Sequence, residues 1–187
     1  MAYGGAGVWK SVGFGKSGSF PASLSELFTA IAKEAKHSLD QFNAQELANT
    51  AWAFATVGQK DELLFNALAR MAERRLGQFN AHGLANTAWA CATVGQKDEQ
   101  LFKALARMAE RGLGEFSVQN LANMAWAFAT VGQQDEQLFK ALARMAERRL
   151  DEFNAQDLRD TVWAFAAVGV PVPALLDPSL LLDMIEA

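Results

Sequence analysis

Internal repetition limits what this chain can fold into more than any other feature. NTAWAFATVG at residues 49–58 returns as NTAWACATVG at 86–95, NMAWAFATVG at 123–132 and DTVWAFAAVG at 160–169, 37 residues apart each time. Between these blocks lie LFNALARMAERRL at 64–76, LFKALARMAERGL at 101–113 and LFKALARMAERRL at 138–150. Segments 42–78 and 79–115 agree at 30 of 37 positions with no insertion. A unit this short cannot bury an apolar face by itself, so neighbouring copies must stack and share one continuous core.

Each copy divides into two helical patterns. In the first, helix A, Phe42 precedes Asn43, a good N-cap, with Glu46 three residues on to complete a capping box and Leu47 placed to staple against Phe42. The same start recurs at Phe79-Asn80, Phe116-Ser117 and Phe153-Asn154. Leu47, Ala48, Ala51, Trp52 and Ala55 give an apolar face of helical period, which stops at Gly58, Gly95, Gly132 and Gly169. In the second, helix B, Asp61, Asp98 and Asp135 are N-caps, followed by Glu62, Glu99 and Glu136, where the helix dipole favours anions. Leu64, Phe65, Leu68, Met71, Ala72 and Leu76 form its apolar stripe, and Gly77 and Gly114 are expected to end two of these helices. The fold class is therefore all-α, a right-handed α-solenoid of 37-residue helix-turn-helix repeats.

The repeat array spans 42–169, as copies 42–78, 79–115, 116–152 and a partial 153–169, with different chemistry at both ends. Residues 1–20 hold six glycines with Lys10, Lys16 and no acid, which reads as an N-terminal arm. Within 21–41, Ser23 and Glu26 form a capping box, and Leu27, Phe28, Ile31, Ala35 and Leu39 continue the helix B register one period upstream as a capping helix. Residues 170–187 contain Pro171, Pro173 and Pro178, which prevent a normal copy and leave a cap with a short helix over roughly 179–186.

Composition removes several classes of function. Apolar runs are broken by charged or amide side chains well before the roughly 20 residues that cross a bilayer, so no membrane span is expected. Cys91 is the single cysteine, and His37 and His82 are the two histidines, so neither a disulfide framework nor a metal site is expected. A formal charge of −4 argues against holding nucleic acid by bulk positive charge. No nucleophile, acid–base pair or phosphate-cradling loop points to an enzyme, a cofactor or a small-molecule substrate.

The core Leu47, Ala48, Asn49, Trp52, Ala53, Phe54, Ala55 and Gly58, returning at this period, resembles the octotricopeptide-type helical repeats of algal and protist organelle proteins. That resemblance covers 42–169 well and 24–41 in part. It implies an α-solenoid, similar in logic to pentatricopeptide repeats, that binds organelle RNA and governs transcript stability, processing or translation in a chloroplast or mitochondrion. Repeat arrays are also reused for protein binding, so the partner is single-stranded RNA or the protein subunits of a larger photosynthetic or ribosomal assembly.

Three sets of side chains are candidates for contact with a partner. Gln45, His82, Gln119 and Gln156 form one helix A column, and Asn49, Asn86, Asn123 and Asp160 another one turn on. Amides present a donor and an acceptor together, which reading a base edge requires; identical asparagines equally suit a hydrogen-bond ladder between copies. On helix B, Arg70 and Arg74, then Lys103, Arg107 and Arg111, then Lys140, Arg144 and Arg148 recur at i, i+4, i+8. Stacked, they make a belt of eight cations for a phosphate backbone or an acidic protein, or simply a solvated face matched to the helix dipole. Trp52, Trp89, Trp126 and Trp163 are expected to fill notches between alanine-faced helices, and Cys91, in the column of Phe54, Phe128 and Phe165, to be a small buried hydrophobe.

Overall fold

A computed structural model of the chain describes residues 22–171, with side chains from residue 26 onward. The expected arm 1–20, and nearly all of the expected cap 170–187 with its short helix, lie outside the described residues. Within them the chain is all-helical, running α1 (Ala22–Ser38), α2 (Ala44–Thr56), α3 (Glu62–Arg75), α4 (Ala81–Val94), α5 (Glu99–Gly112), α6 (Val118–Val131), α7 (Glu136–Arg148) and α8 (Ala155–Val168). The even-numbered helices are the A helices of the sequence pattern and the odd-numbered ones the B helices. None of the described helices is long and apolar enough to cross a membrane.

The expected caps set the boundaries. Asn43 accepts from the Glu46 backbone N–H at 2.9 Å while Glu46 accepts from the Asn43 N–H at 2.8 Å, the reciprocal pair that starts α2. Asn80, Ser117 and Asn154 start the other A helices, and Asp61, Asp98 and Asp135 start α3, α5 and α7. The A helices α4, α6 and α8 stop at Gly95, Gly132 and Gly169, whose φ values of 81°, 77° and 71° place them in the left-handed region that glycine adopts at no steric cost.

Two local expectations are corrected. Gly77 and Gly114 are not the residues at which their helices end, since α3 stops at Arg75 and α5 at Gly112. They lie inside short 3-10 turns, Leu76–Gln78 and Leu113–Glu115, closed by Phe79 N–H on Leu76 C=O and Phe116 N–H on Leu113 C=O. Asp151 occupies the matching place in Leu150–Glu152, because an i→i+3 turn makes no demand for positive φ. Ser23 falls inside α1 rather than at its N-cap.

Packing follows the alanines. The most extensive contacts join α2 to α4, α4 to α6 and α6 to α8, while each B helix packs on the A helix before it and on the neighbouring B helices. In α4, Ala85, Ala88, Ala90 and Ala92 are all buried, which lets helix axes approach to roughly 8 Å. Thr50, Thr87 and Thr161 sit along the same helices with their hydroxyls bonded to the carbonyl four residues back, so no polar atom is lost there.

Each B helix also reaches the A helix that follows it. Phe28 meets Phe54 edge-on at 5.3 Å between ring centroids, Phe102 meets Phe128 at 5.0 Å and Phe139 meets Phe165 at 5.5 Å. The corresponding pair in the second A helix is Phe65 and Cys91, both buried, with the thiol pKa pushed up to about 12 by burial and by the charge of Asp98. Cys91 is thus the small buried hydrophobe that the sequence suggests.

A further link escaped the sequence reading. Arg75, from the end of α3, donates to the backbone carbonyls of Phe42 and Asp40, just before α2; Arg149 does the same to Phe116 before α6 while also pairing with Glu152. Gly112 holds the matching position in α5, in open space with no neighbour within 4 Å of an added Cβ. Gly112→Arg should therefore stabilise the fold by about 1–2 kcal/mol, through helix propensity and a new bond to the Phe79 carbonyl. Arg149→Ala should lower stability. Denaturant midpoints read both, and no change in either would contradict the linking role.

Candidate functional site

Side-chain positions on the A helices sort into two opposed faces. At about 100° per residue, Gln45, Asn49, Trp52 and Thr56 fall within roughly 60° of one another, with Leu47, Ala51 and Phe54 on the other side. Burial agrees: Leu47, Ala51 and Phe54 are buried toward the B helices, whereas Gln45 and Asn49 are exposed. The later copies present His82, Asn86, Trp89 and Thr93, then Gln119, Asn123, Trp126 and Thr130, then Gln156, Asp160, Trp163 and Ala167.

The expected packing of the tryptophans holds in part: Trp89 lies in the core and Trp52 and Trp126 pack against it, while Trp163 departs from it. They share a stripe with the amides instead of the apolar face turned to the B helices. Only Trp89 is buried; Trp52 and Trp126 are half-buried, and Trp163 on α8 is 49% exposed. Trp89 and Trp126 lie beside each other, 6.3 Å between ring centroids and tilted by 33°. The i, i+4, i+7, i+11 spacing of Gln45, Asn49, Trp52 and Thr56 was the signal that could have revealed it.

The amide columns are not equivalent along the chain. Asn49 is exposed, Asn123 and Asp160 are half-buried, and Asn86 is buried. Asn86 Nδ2 donates to His82 Nε2 at 2.9 Å, which leaves the proton of a neutral imidazole on Nδ1. Gln156 Nε2 donates to Asp160 Oδ2 at 2.7 Å. Both bonds run within a helix, one turn apart. The hydroxyls of Thr56, Thr93 and Thr130 on the same stripe are shielded from solvent and make no hydrogen bond among the described residues.

Between the starts of α2 and α4 the stripe opens into a groove of about 360 Å³, lined by Gln45, Ala48, Asn49, Phe79, His82 and Gly83. Glycine maintains that opening. A Cβ on Gly83 would come within 3.1 Å of the Phe79 ring and 3.3 Å of Asn80 Oδ1, and the other copies carry Glu46, Asn120 and Asp157 here. With Asn43, Gln78 and Asn80 also in its lining, the groove offers five amides and an imidazole around a space open to solvent.

The basic belt lies elsewhere. Arg70, Arg74, Lys103, Arg107, Arg111, Lys140, Arg144 and Arg148 are all exposed, on the side of the B helices away from the A helices. Lys103 pairs with Glu99 and Lys140 with Glu136, and hydrogen bonds from those ammonium groups hold both carboxyls below their usual range. The six arginines of the belt have no described carboxylate within 4.0 Å. Stripe and belt face away from each other. The A helices carry a single Lys or Arg, Arg159.

Residues 14–179 match the family described as RNA-editing substrate-binding complex 6 protein, and the chain belongs to that family. No curated protein matches it.

Asp157, beside the stripe on α8, has a perturbed carboxyl. Burial and the charge of Asp160 raise its pKa, against a hydrogen bond from Asn154. A raised folded-state pKa means the protonated form is the better accommodated one, so its contribution to stability is present at acid pH and lost as pH rises through that pKa. Asp157→Asn, the residue α6 carries as Asn120, should raise the thermal midpoint at neutral pH, with the gain vanishing near about pH 3. A gain independent of pH would contradict this account of Asp157.

Proposed function

We propose that this member of the RNA-editing substrate-binding complex 6 family is a non-catalytic RNA-contacting subunit of an editing assembly, with single-stranded RNA lying along the stripe of the A helices. The observation that carries the reading is the recurrence of an amide and an indole on one face of every A helix, joined by a threonine on α2, α4 and α6, with Gln45, Asn49 and His82 around an open groove. Amides pair with base edges, and half-buried indoles offer ring surface on which unpaired bases stack for about 1–3 kcal/mol each.

The proposed architecture is a right-handed α-solenoid of 37-residue units, supported by A-on-A packing along the chain and by caps that recur in each unit. It is the octotricopeptide-type arrangement that the sequence resembles. RNA-editing complexes occur in mitochondria, so of the two organelles implied by that resemblance the mitochondrion is the one proposed.

A second reading, a scaffold that docks on protein subunits, is favoured by one observation: the stripe carries no Lys or Arg, and Asp157 and Asp160 place acid at its far end. Phosphate affinity comes chiefly from cations. Binding of single-stranded RNA at several salt concentrations separates the readings. Asn49→Ala with Gln119→Ala should weaken binding several-fold, reduce discrimination between sequences and leave the salt slope unchanged. Asn86 is a poorer probe because it is buried and bonded to His82. If instead Arg107→Glu with Arg144→Glu weakens all sequences alike and flattens the salt slope, RNA follows the belt. Absence of RNA retention by the unaltered protein would leave the scaffold.

A further inference from the structure

The first B helix differs from the other three on one side. Leu27 and Ile31 of α1 are 52% and 43% exposed, whereas their register partners Leu64, Leu101 and Leu138, and Leu68, Leu105 and Leu142, are all buried. Phe28, about 60–100° around the helix from them, packs on Phe54 of the following helix as its partners do. The exposed pair therefore lies on the side turned from α2. In α3 and α7 that side carries Arg75 and Arg149, which bond the backbone just before the preceding A helix. In each full copy, the segment immediately upstream of the B helix covers this side. A groove of about 400 Å³, lined by Ala30, Ile31, Glu34, Ala35, Ser38 and Phe42, runs along it in α1.

We propose that this groove is a docking site for the chain's own residues 8–20, which cap the array by covering Leu27 and Ile31. That segment stands immediately upstream of α1, as the covering A helices stand upstream of α3, α5 and α7. Val8, Trp9, Val12, Phe14 and Phe20 supply apolar surface for the groove. Charge matches as well: Glu34 replaces the Met71, Met108 and Met145 of the other B helices, and the segment brings Lys10 and Lys16 with no acid. Ser38 replaces Arg75 and Arg149 and removes a bulky cation from the same side. Reach is ample, since 13 residues extend to about 40 Å and Ile31 lies only about 14 Å along the helix from Ala22. A short tether also supplies an effective concentration on the order of millimolar, which offsets the ordering of its glycines. The capping role does not depend on the RNA reading.

Photo-crosslinking from Ile31 tests it. The 187-residue chain is prepared with a benzophenone amino acid at Ile31, irradiated alone and within its native assembly, and the adduct is located by mass spectrometry. Adducts to residues 8–20 of the same chain are expected, with a yield independent of protein concentration. Trp9→Ser with Phe14→Ser should cut that yield several-fold. An adduct to a second copy, whose yield rises with concentration, would overturn the proposal, as would one to another protein or to RNA. Absence of any adduct would overturn it too, provided the circular dichroism of the labelled chain is unchanged. Leu27 as the labelled position gives the same reading if Ile31 is poorly incorporated.

Discussion

Close contact between alanine-rich helices is the constraint from which the rest of this structure follows. α4 illustrates it: Ala85 and Ala92 occupy one flank and Ala90 the other, all buried, while Ala48 of α2 lies 3.8 Å from where a Cβ on Gly83 would stand. Helices this close leave room at the seam mainly for small side chains; of the described indoles only Trp89 is buried, against Trp126 of the next A helix. Large residues must then leave by one of two routes. Leu47 and Phe54 turn toward the B helices, while Gln45, Asn49 and Trp52 turn the opposite way. The amide and indole stripe is thus the geometrical complement of the packing seam, repeated wherever the seam repeats.

The B helices complete the arrangement by linking along the chain in both directions. Edge-on phenylalanine pairs carry α1, α5 and α7 onto the A helix that follows, and Arg75 and Arg149 anchor α3 and α7 to the backbone before the A helix that precedes. Lys36 of α1 adds an ion pair to Asp61, the N-cap of α3, at 3.0 Å. Burial raises the pKa of Asp61, but the Leu64 N–H bond and Lys36 outweigh it and leave the carboxyl below its usual range. Copy two has a smaller set of these links, with Cys91 in place of a ring and Gly112 in place of an arginine. The stripe's groove, beside Gly83, lies where that copy meets the one before it.

Helix positions were legible because caps are local. Asn43 with Glu46, the aspartates before each B helix and the glycines after each A helix act through bonds spanning three to six residues, so a single sequence reveals them. The faces were less legible. Trp52 adjoins Ala51 and Ala53 in sequence, which points it to the apolar face, yet its helical neighbours Gln45, Asn49 and Thr56 are the ones that share its direction. Arg75 and Arg149 bond across 33 residues, a distance at which only the packed structure pairs them. The amide columns and the basic belt were each identifiable from spacing alone. That they face opposite ways follows from the two-layer packing and means that one bound strand cannot use both.

Identifying the bound face is therefore the most direct test. The protein within its native assembly would be irradiated with ultraviolet light, digested, and the nucleotide-bearing peptides assigned by mass spectrometry. Adducts on peptides of the A helices, at or beside Asn49, Gln119 and Trp163, are the predicted result. RNA adducts confined to the outer surface of α3, α5 and α7, with the A-helix peptides unmodified, would contradict it.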